Sequence, residues 1–208
     1  MLSQNLHIPE AELSVLPESG RYIFPGTVPG PLEDDLKAVG GPAVASKKSF
    51  TFRMKSMQPY AESAGGSVRV VDSRNFPVDK AIAAALFSVK PTALREMHWH
   101  PKSEWQFYIR GSAQMTVFNA AGEAFTMDYH PDDVGLVPAT AGHYILNTGN
   151  EDLEFLAVFK SDEFVEFSLD QWISRLPVQI TQQTLNLSPT QIACVPNTKY
   201  NFFLSKKL

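Results

Sequence analysis

The chain of 208 residues is 44% hydrophobic and 19% charged, with a formal net charge of −4. That balance excludes an intrinsically disordered chain, and the acidic excess offers no basic surface for nucleic acid or anionic lipid. The one cysteine, Cys194, excludes an intrachain disulfide and reads as a buried or half-buried thiol.

The first ten residues lack the charged and apolar regions of a signal peptide, so the expected location is cytoplasmic. No apolar run reaches the length of a membrane span. Residues 1–48 are rich in Pro and Gly and form an N-terminal extended arm. Its one helical candidate runs from Pro31 to Val39, opened by Pro and acidic residues and stopped by Gly40. From Ser49 to Met54 apolar and polar residues alternate, as in a half-buried strand. Gly65-Gly66 marks a turn, and strands follow at Ser67–Asp72 and Ile82–Val89.

The segment Arg95–Gly111 carries His98, His100 and Glu104 in the spacing His-x-His-x3-Glu-x6-Gly. Alternate side chains of a strand share a face, so both imidazoles point one way with Trp99 opposed, and Glu104 keeps their parity. Two imidazoles and a carboxylate make a metal site short of one ligand, and His143 supplies it. Three of the five histidines are thereby used; His7 and His130 sit in polar, Pro-flanked stretches that read as exposed loop. Mixed nitrogen and oxygen ligation suits Mn, Fe, Ni, Co or Zn alike. The residues alone leave open a catalytic ion and one that only braces the fold.

Strands continue at Gln106–Ile109 and Ala113–Phe118, joined by a tight turn at Arg110-Gly111-Ser112. A hairpin at Ala121-Gly122 leads to Ala124–Tyr129. Val134–Val137, Tyr144–Asn147 and Leu153–Phe159 complete the set. Short strands at regular intervals predict an all-β antiparallel sandwich or barrel over residues 49–167. In residues 168–208, Ser168 caps a helix whose face carries Leu169, Trp172, Ile173 and Leu176. A second helix runs from Pro177 to about Leu185. The tail beyond carries no local signal, though Phe202-Phe203-Leu204 offers an apolar contact for a neighbour.

The His-x-His-x3-Glu-x6-Gly motif, followed by Asp132–Asn147 with His143, resembles the paired motifs of the cupin superfamily, a jelly-roll-type β-barrel. Asp132 and Thr140 stand where that pattern commonly has glycine. Tyr22-Ile-Phe-Pro-Gly, Gly40-Gly41-Pro42, the Gly66–Phe76 stretch, Arg95–His100 and Ser168-Leu-Asp-Gln-Trp narrow the resemblance to the oxalate decarboxylases. Members usually hold two cupin domains in one chain, and this chain resembles the C-terminal half with its preceding linker. The resemblance implies manganese at His98, His100, Glu104 and His143. It further implies oxalate, a small dicarboxylate, as substrate, a requirement for dioxygen, and cleavage to formate and carbon dioxide.

By the same resemblance Arg95, three residues before the first ligand, polarises the substrate. Strict alternation from His98 would turn it away, so a bulge or a strand start is required, and the alternative is an exposed arginine at a strand end. Glu166 stands where the family's lid carries its proton donor, with Asp162 and Glu163 as fallbacks. Ala157 replaces a pocket glutamate often present in the family's C-terminal half. The alternatives are an oxalate oxidase, another small-acid metal cupin, or a stress or storage cupin. A single domain in a family that normally pairs two predicts a homodimer or higher homo-oligomer.

Overall fold

A computed structural model describes residues 2–15, 19–20, 23, 25–38 and 49–204. Tyr22, Phe24, the Gly40 helix stop and the Gly40-Gly41-Pro42 segment lie outside the described residues. Residues 1–47 and 48–208 form two separate units. The first holds α1 (Leu2–Leu6), a 3-10 turn (Glu10–Val15) and α2 (Leu32–Ala38). Glu33, Asp34 and Asp35 fill the first turn of α2, where backbone N–H groups favour anions, and α2 buries no side chain.

The second unit is built from β1 (Ala61–Ser63), β2 (Gly66–Val71), β3 (Ala83–Val89), β4 (Ala93–Trp99), β5 (Glu104–Arg110) and β6 (Ala113–Phe118). It continues with β7 (Ala124–Tyr129), β8 (Val134–Val137), β9 (Gly142–Asn147), β10 (Leu153–Phe159) and β11 (Phe167–Ser168). Helices α3 (Leu169–Ser174), α4 (Val178–Leu185) and α5 (Pro189–Ala193) precede the last strand, β12 (Phe202–Leu204). One sheet has the order β1-β2-β3-β10-β5-β8 and the other β11-β4-β9-β6-β7, with β12 also on β4. Every strand pairing among the described residues is antiparallel.

The period-2 pattern builds this sandwich directly. Leu153, Phe155, Ala157 and Phe159 of β10 face inward, as do Ala113, Met115 and Val117 of β6. Phe87 stacks on Phe155 with centroids 4.7 Å apart, and Tyr108 on Tyr129 at 4.5 Å. Each such ring contributes about 1.5–3 kcal/mol by leaving water. The core face of β5 departs from this rule: Glu104 and Gln106 are buried there beside Tyr108. Buried polar groups on an otherwise apolar face mark the position of a site.

Several expectations change. Ser49–Phe52 is irregular and Met54–Ser56 is a 3-10 turn, so the alternation there does not form a strand. Arg110-Gly111-Ser112 is a corner between the sheets, because β5 pairs with β10 and β8 while β6 pairs with β7 and β9. Gly111 is still required: its φ is +80°, and a Cβ would come within 2.8 Å of Leu153 Cα. Phe202-Phe203-Leu204 does not wait for a neighbour but pairs as β12 with Arg95, Leu94 and Ala93. Cys194 is exposed at the end of α5, its thiol donating to the Thr190 carbonyl at 3.3 Å.

The Ala121-Gly122 hairpin, α3 and α4 form as the sequence predicts. Ser168 precedes α3 but does not cap it; its hydroxyl donates instead to Glu96 Oε1 at 2.7 Å. Among the described residues no helix is long and apolar enough to cross a membrane.

Candidate metal centre

Strand β4 delivers His98, His100 follows directly after its end, and β5 and β9 deliver Glu104 and His143. His98, His100, Glu104 and His143 are all buried, and one donor atom from each lies within 4.8 Å of the others. His98 faces His143 across the β4–β9 ladder, in direct register. That ladder slips between Arg95 and His98, where β4 carries an extra residue. The bulge allows Arg95 and His98 to face inward at odd spacing, and Arg95 is 0% exposed. An arginine at an exposed strand end is excluded.

The hydrogen bonds fix which nitrogen of each imidazole is left to ligate. His98 Nδ1 lies 2.7 Å from the Glu96 carbonyl, His100 Nδ1 2.8 Å from Val165 O, and His143 Nδ1 3.1 Å from Ala141 O. A carbonyl cannot donate, so each Nδ1 carries a proton and Nε2 is the ring nitrogen left to ligate. Burial, with the Arg95 cation second, pushes the proton affinity of His98 well below the ordinary histidine range. The neutral form is the one that ligates.

His100 Nε2 and His143 Nε2 then face Glu104 Oε2 at 3.3 and 3.1 Å. All three atoms are buried without a hydrogen-bond partner. Lone pairs from three groups converging in a dry site are costly unless something electron-poor lies between them. A divalent cation fits that donor set.

Outer groups hold the donors in place. Gln106 Nε2 donates to Glu104 Oε1 at 2.9 Å, and Tyr108 Oη donates to Gln106 Oε1 at 2.8 Å. Glu104 is thereby oriented with Oε2 free. The turn before β9 clamps the first motif, because Thr140 N–H donates to the His100 carbonyl at 2.8 Å. Asp132 and Thr140 both take left-handed backbone, with φ of +72° and +67°, as expected of positions where glycine is common. Asn147 is structural: its Nδ2 donates to Val89 O and Glu151 O, each at 2.8 Å.

Glu166 is brought to the same region. It follows Val165, whose carbonyl holds His100, and its side chain is 4% exposed. Its Oε2 pairs with Arg95 Nη2, and its Oε1 accepts from Lys199 Nζ and from Asn201 Nδ2, the latter at 3.1 Å. Burial alone would raise the Glu166 pKa, but the Arg95 and Lys199 cations outweigh it and hold the carboxyl below the usual range. Asp162 and Glu163, the fallback donors, are exposed. Ala157 is a buried inward residue of β10, paired with Gln106, and supplies no acid. Trp99 stacks on Phe167 at 5.9 Å and Trp105 on Phe107 at 6.4 Å, while Tyr108 alone of the four aromatics is in the core.

Sequence reasoning missed Glu96, Gln106, Lys199 and Asn201. Gln106 shares the parity of Glu104, so a polar residue on the core face was a readable signal. Lys199 and Asn201 had none: they reach the site only because β12 returns to β4.

The cupin family model matches residues 52–193. An oxalate decarboxylase of Bacillus subtilis (strain 168) is 45% identical over 188 residues, 90% of this chain and 48% of that protein. An oxalate decarboxylase of Arthroderma benhamiae is 39% identical over 154 residues, covering 72% of this chain and 36% of that one. A solved Bacillus subtilis oxalate decarboxylase, studied for its Mn(II) centres, superposes with a TM-score of 0.88 at 42% identity. That superposition covers 99% of this chain and 54% of the other. The chain thus spans about half or less of the relatives it matches.

Proposed function

The chain belongs to the cupin family, and from that premise we propose that it is a manganese-dependent enzyme converting oxalate to formate and carbon dioxide. The observation that carries the reading is the convergence of three imidazoles and a carboxylate in a buried site, where His100 Nε2, His143 Nε2 and Glu104 Oε2 have no hydrogen-bond partner. A buried arginine lies three residues from the first imidazole, His98. Manganese is proposed because the superposing Bacillus subtilis enzyme has Mn(II) centres.

When bound, the ion would supply open positions for a carboxylate and withdraw charge from it. The remaining work falls to the chain. Arg95 stabilises negative charge on a substrate oxygen through guanidinium N–H groups held inside the sandwich. Glu166 is held ionised, so it takes up a proton before it can give one. Hydrogen oxalate carries that proton. Loss of carbon dioxide leaves the C–C electron pair on the remaining carbon, which receives the proton to become formate. Atoms and charge balance: hydrogen oxalate gives carbon dioxide and formate.

The test is an oxalate turnover assay on metal-loaded chain with elemental analysis. Formate supports the reading. Hydrogen peroxide would assign an oxidase, and neither product would leave a metal that braces the fold. Glu166→Gln should retain its metal and lose most formate production, because the amide keeps the shape without delivering a proton. Full formate yield from that variant would remove Glu166 from the role. We also infer that the chain associates with copies of itself.

A further inference from the structure

The Glu166 carboxylate sits in an environment built for a carboxylate. Two cations and one amide converge on it: Arg95 Nη2 on one oxygen, Lys199 Nζ and Asn201 Nδ2 on the other. Arg95 is 0% exposed, Asn201 7%, and the Lys199 side chain 19%. Charge-assisted donors on both oxygens of one carboxylate, in a largely dry setting, make a receptor for that group.

The receptor and its occupant have different supports. Arg95 lies in β4, its guanidinium 5.5 Å from the centre of the Phe87 ring and 5.9 Å from that of Phe202. Its Nη1 also donates to Glu96 Oε1 at 2.9 Å and to Asn201 O at 3.2 Å. Asn201 is fixed from both sides, because its carbonyl accepts from Glu96 N–H and the next residue pairs with Arg95. Lys199 stands two residues before it, 3.8 Å from Glu96 Oε1. The donors are therefore anchored to a two-strand ladder. Glu166 instead arrives at the end of the bend that follows β10, in a segment held by the Val165 carbonyl on His100, by Phe164 N–H on Asp72 and by the two-residue β11 on β4. One donor is unspent: Arg95 Nε is buried without a partner.

We propose that Lys199 and Asn201 form, with Arg95, a carboxylate-binding subsite beside the four-donor centre; Glu166 fills it in this conformation, and a small carboxylate ligand exchanges with it. The proposal rests on the reading that the centre takes a small acid. It assigns Lys199 and Asn201, on a tail that carries no local motif, to ligand binding. An entering carboxylate meets donors already in place and displaces Glu166, rather than having to order the donors itself. With Glu166 present, affinity is reduced by the fraction of molecules in which it still holds the subsite.

Acetate is the probe, because it has one carboxylate and no carbon–carbon bond to cleave between two of them. Its affinity is measured by calorimetry on full metal-loaded chain. Glu166→Gln should bind acetate at least tenfold more tightly than the unaltered chain. In that background Lys199→Met should abolish the gain and Lys199→Arg should keep it. Acetate held by the metal alone would be indifferent to residue 199. Equal affinity of Glu166→Gln and the unaltered chain, or a gain that survives Lys199→Met, would overturn the proposal. If Glu166→Gln does not fold, Glu166→Asp keeps the charge on a shorter arm and should tighten acetate several-fold; no change there also overturns it. Absence of formate in the oxalate assay would leave acetate binding standing, and a failed acetate series would leave the oxalate assay to be judged alone.

Discussion

At the scale of single residues, function here depends on which atom of each side chain is spent. Every ligand imidazole gives its Nδ1 proton to a carbonyl, and Glu104 gives Oε1 to Gln106. What remains is a set of bare donors that a cation satisfies. His100→Ala is therefore expected to lower metal occupancy and thermal stability together. An ion at 100 times its Kd stabilises the folded state by about 2.7 kcal/mol, on the order of 5–10 °C for a chain of this size. Elemental analysis and a melting curve check it, and unchanged metal content would remove His100 from the ligand set. Asp72 makes a different use of its oxygens. It accepts from the backbone N–H of Arg74 at 3.0 Å and of Phe164 at 3.1 Å, and pairs with the Arg74 guanidinium. Burial would raise its pKa, but these donors prevail and hold it below the ordinary 3.8. A folded pKa below the unfolded one gives stability that is present above about pH 4 and lost as pH falls through the folded value. The melting temperature of the unaltered chain should thus fall more steeply between pH 5 and pH 2 than that of Asp72→Asn. Comparing the two at each pH cancels the loss of metal they share, and parallel curves would show that the Asp72 carboxylate adds no pH-dependent stability.

At the scale of elements, the site depends on two departures from regularity. The extra residue in β4 turns Arg95 inward, and Gly135 in β8 lets Gln106 stand beneath Glu104. A Cβ on Gly135 would meet Gln106 Oε1 at 2.9 Å, and the two residues are paired across the β5–β8 ladder. Gly135→Ala should push Gln106 off Glu104 and weaken metal binding about 10–100-fold, the usual effect of disturbing a group behind a ligand. A metal titration reads it directly; unchanged affinity would mean that Gln106 adjusts freely. These elements also show how far the sequence could be read. Short apolar or alternating runs between turn signals located β2, β3 and β6–β10. Of these, β2, β6, β8, β9 and β10 bury alternate residues, whereas β3 is buried along most of its length and β7 buries only Tyr129. The ligand set was legible because its spacing has a parity that survives in the strand. The same alternation misled at Ser49–Met54, where no strand among the described residues pairs with the segment. The 110–112 turn was seen, but its role as a corner was not, since a turn signal does not say which sheet the chain enters next. Lys199, Asn201 and β12 were beyond reach for a physical reason. Their place is set by a contact with a strand about a hundred residues earlier, and no local periodicity encodes such a return.

At the scale of the whole molecule, the question is what covers the apolar surface that one sandwich leaves outside. The sequence placed that surface on the C-terminal helices, and Trp172 of α3 is indeed 57% exposed. The structure adds a second face. On the outer side of the first sheet Trp105 lies opposite Leu136 on β8 and Val158 on β10, and Phe107 lies opposite Val134 and Leu156. Trp105, Val134 and Leu136 are 43%, 53% and 61% exposed, and Ile82 nearby is 48% exposed. Neighbouring apolar side chains on three adjacent strands form a continuous patch, of the kind that marks an interface in a soluble protein. The relatives are about twice as long. A second copy of this chain supplies a matching surface without any new sequence, and a two-fold axis brings like patches together. The chain is therefore expected to form a dimer through the outer face of β5, β8 and β10. Sedimentation equilibrium at micromolar concentration should give about twice the single-chain mass of 23.1 kDa. Trp105→Glu should return it to one copy with little change in melting temperature at low concentration, because that side chain points away from the core. A mass near 23.1 kDa for the unaltered chain would rule the dimer out. A dimer untouched by Trp105→Glu would move the interface to α3, where Trp172→Glu is the corresponding test.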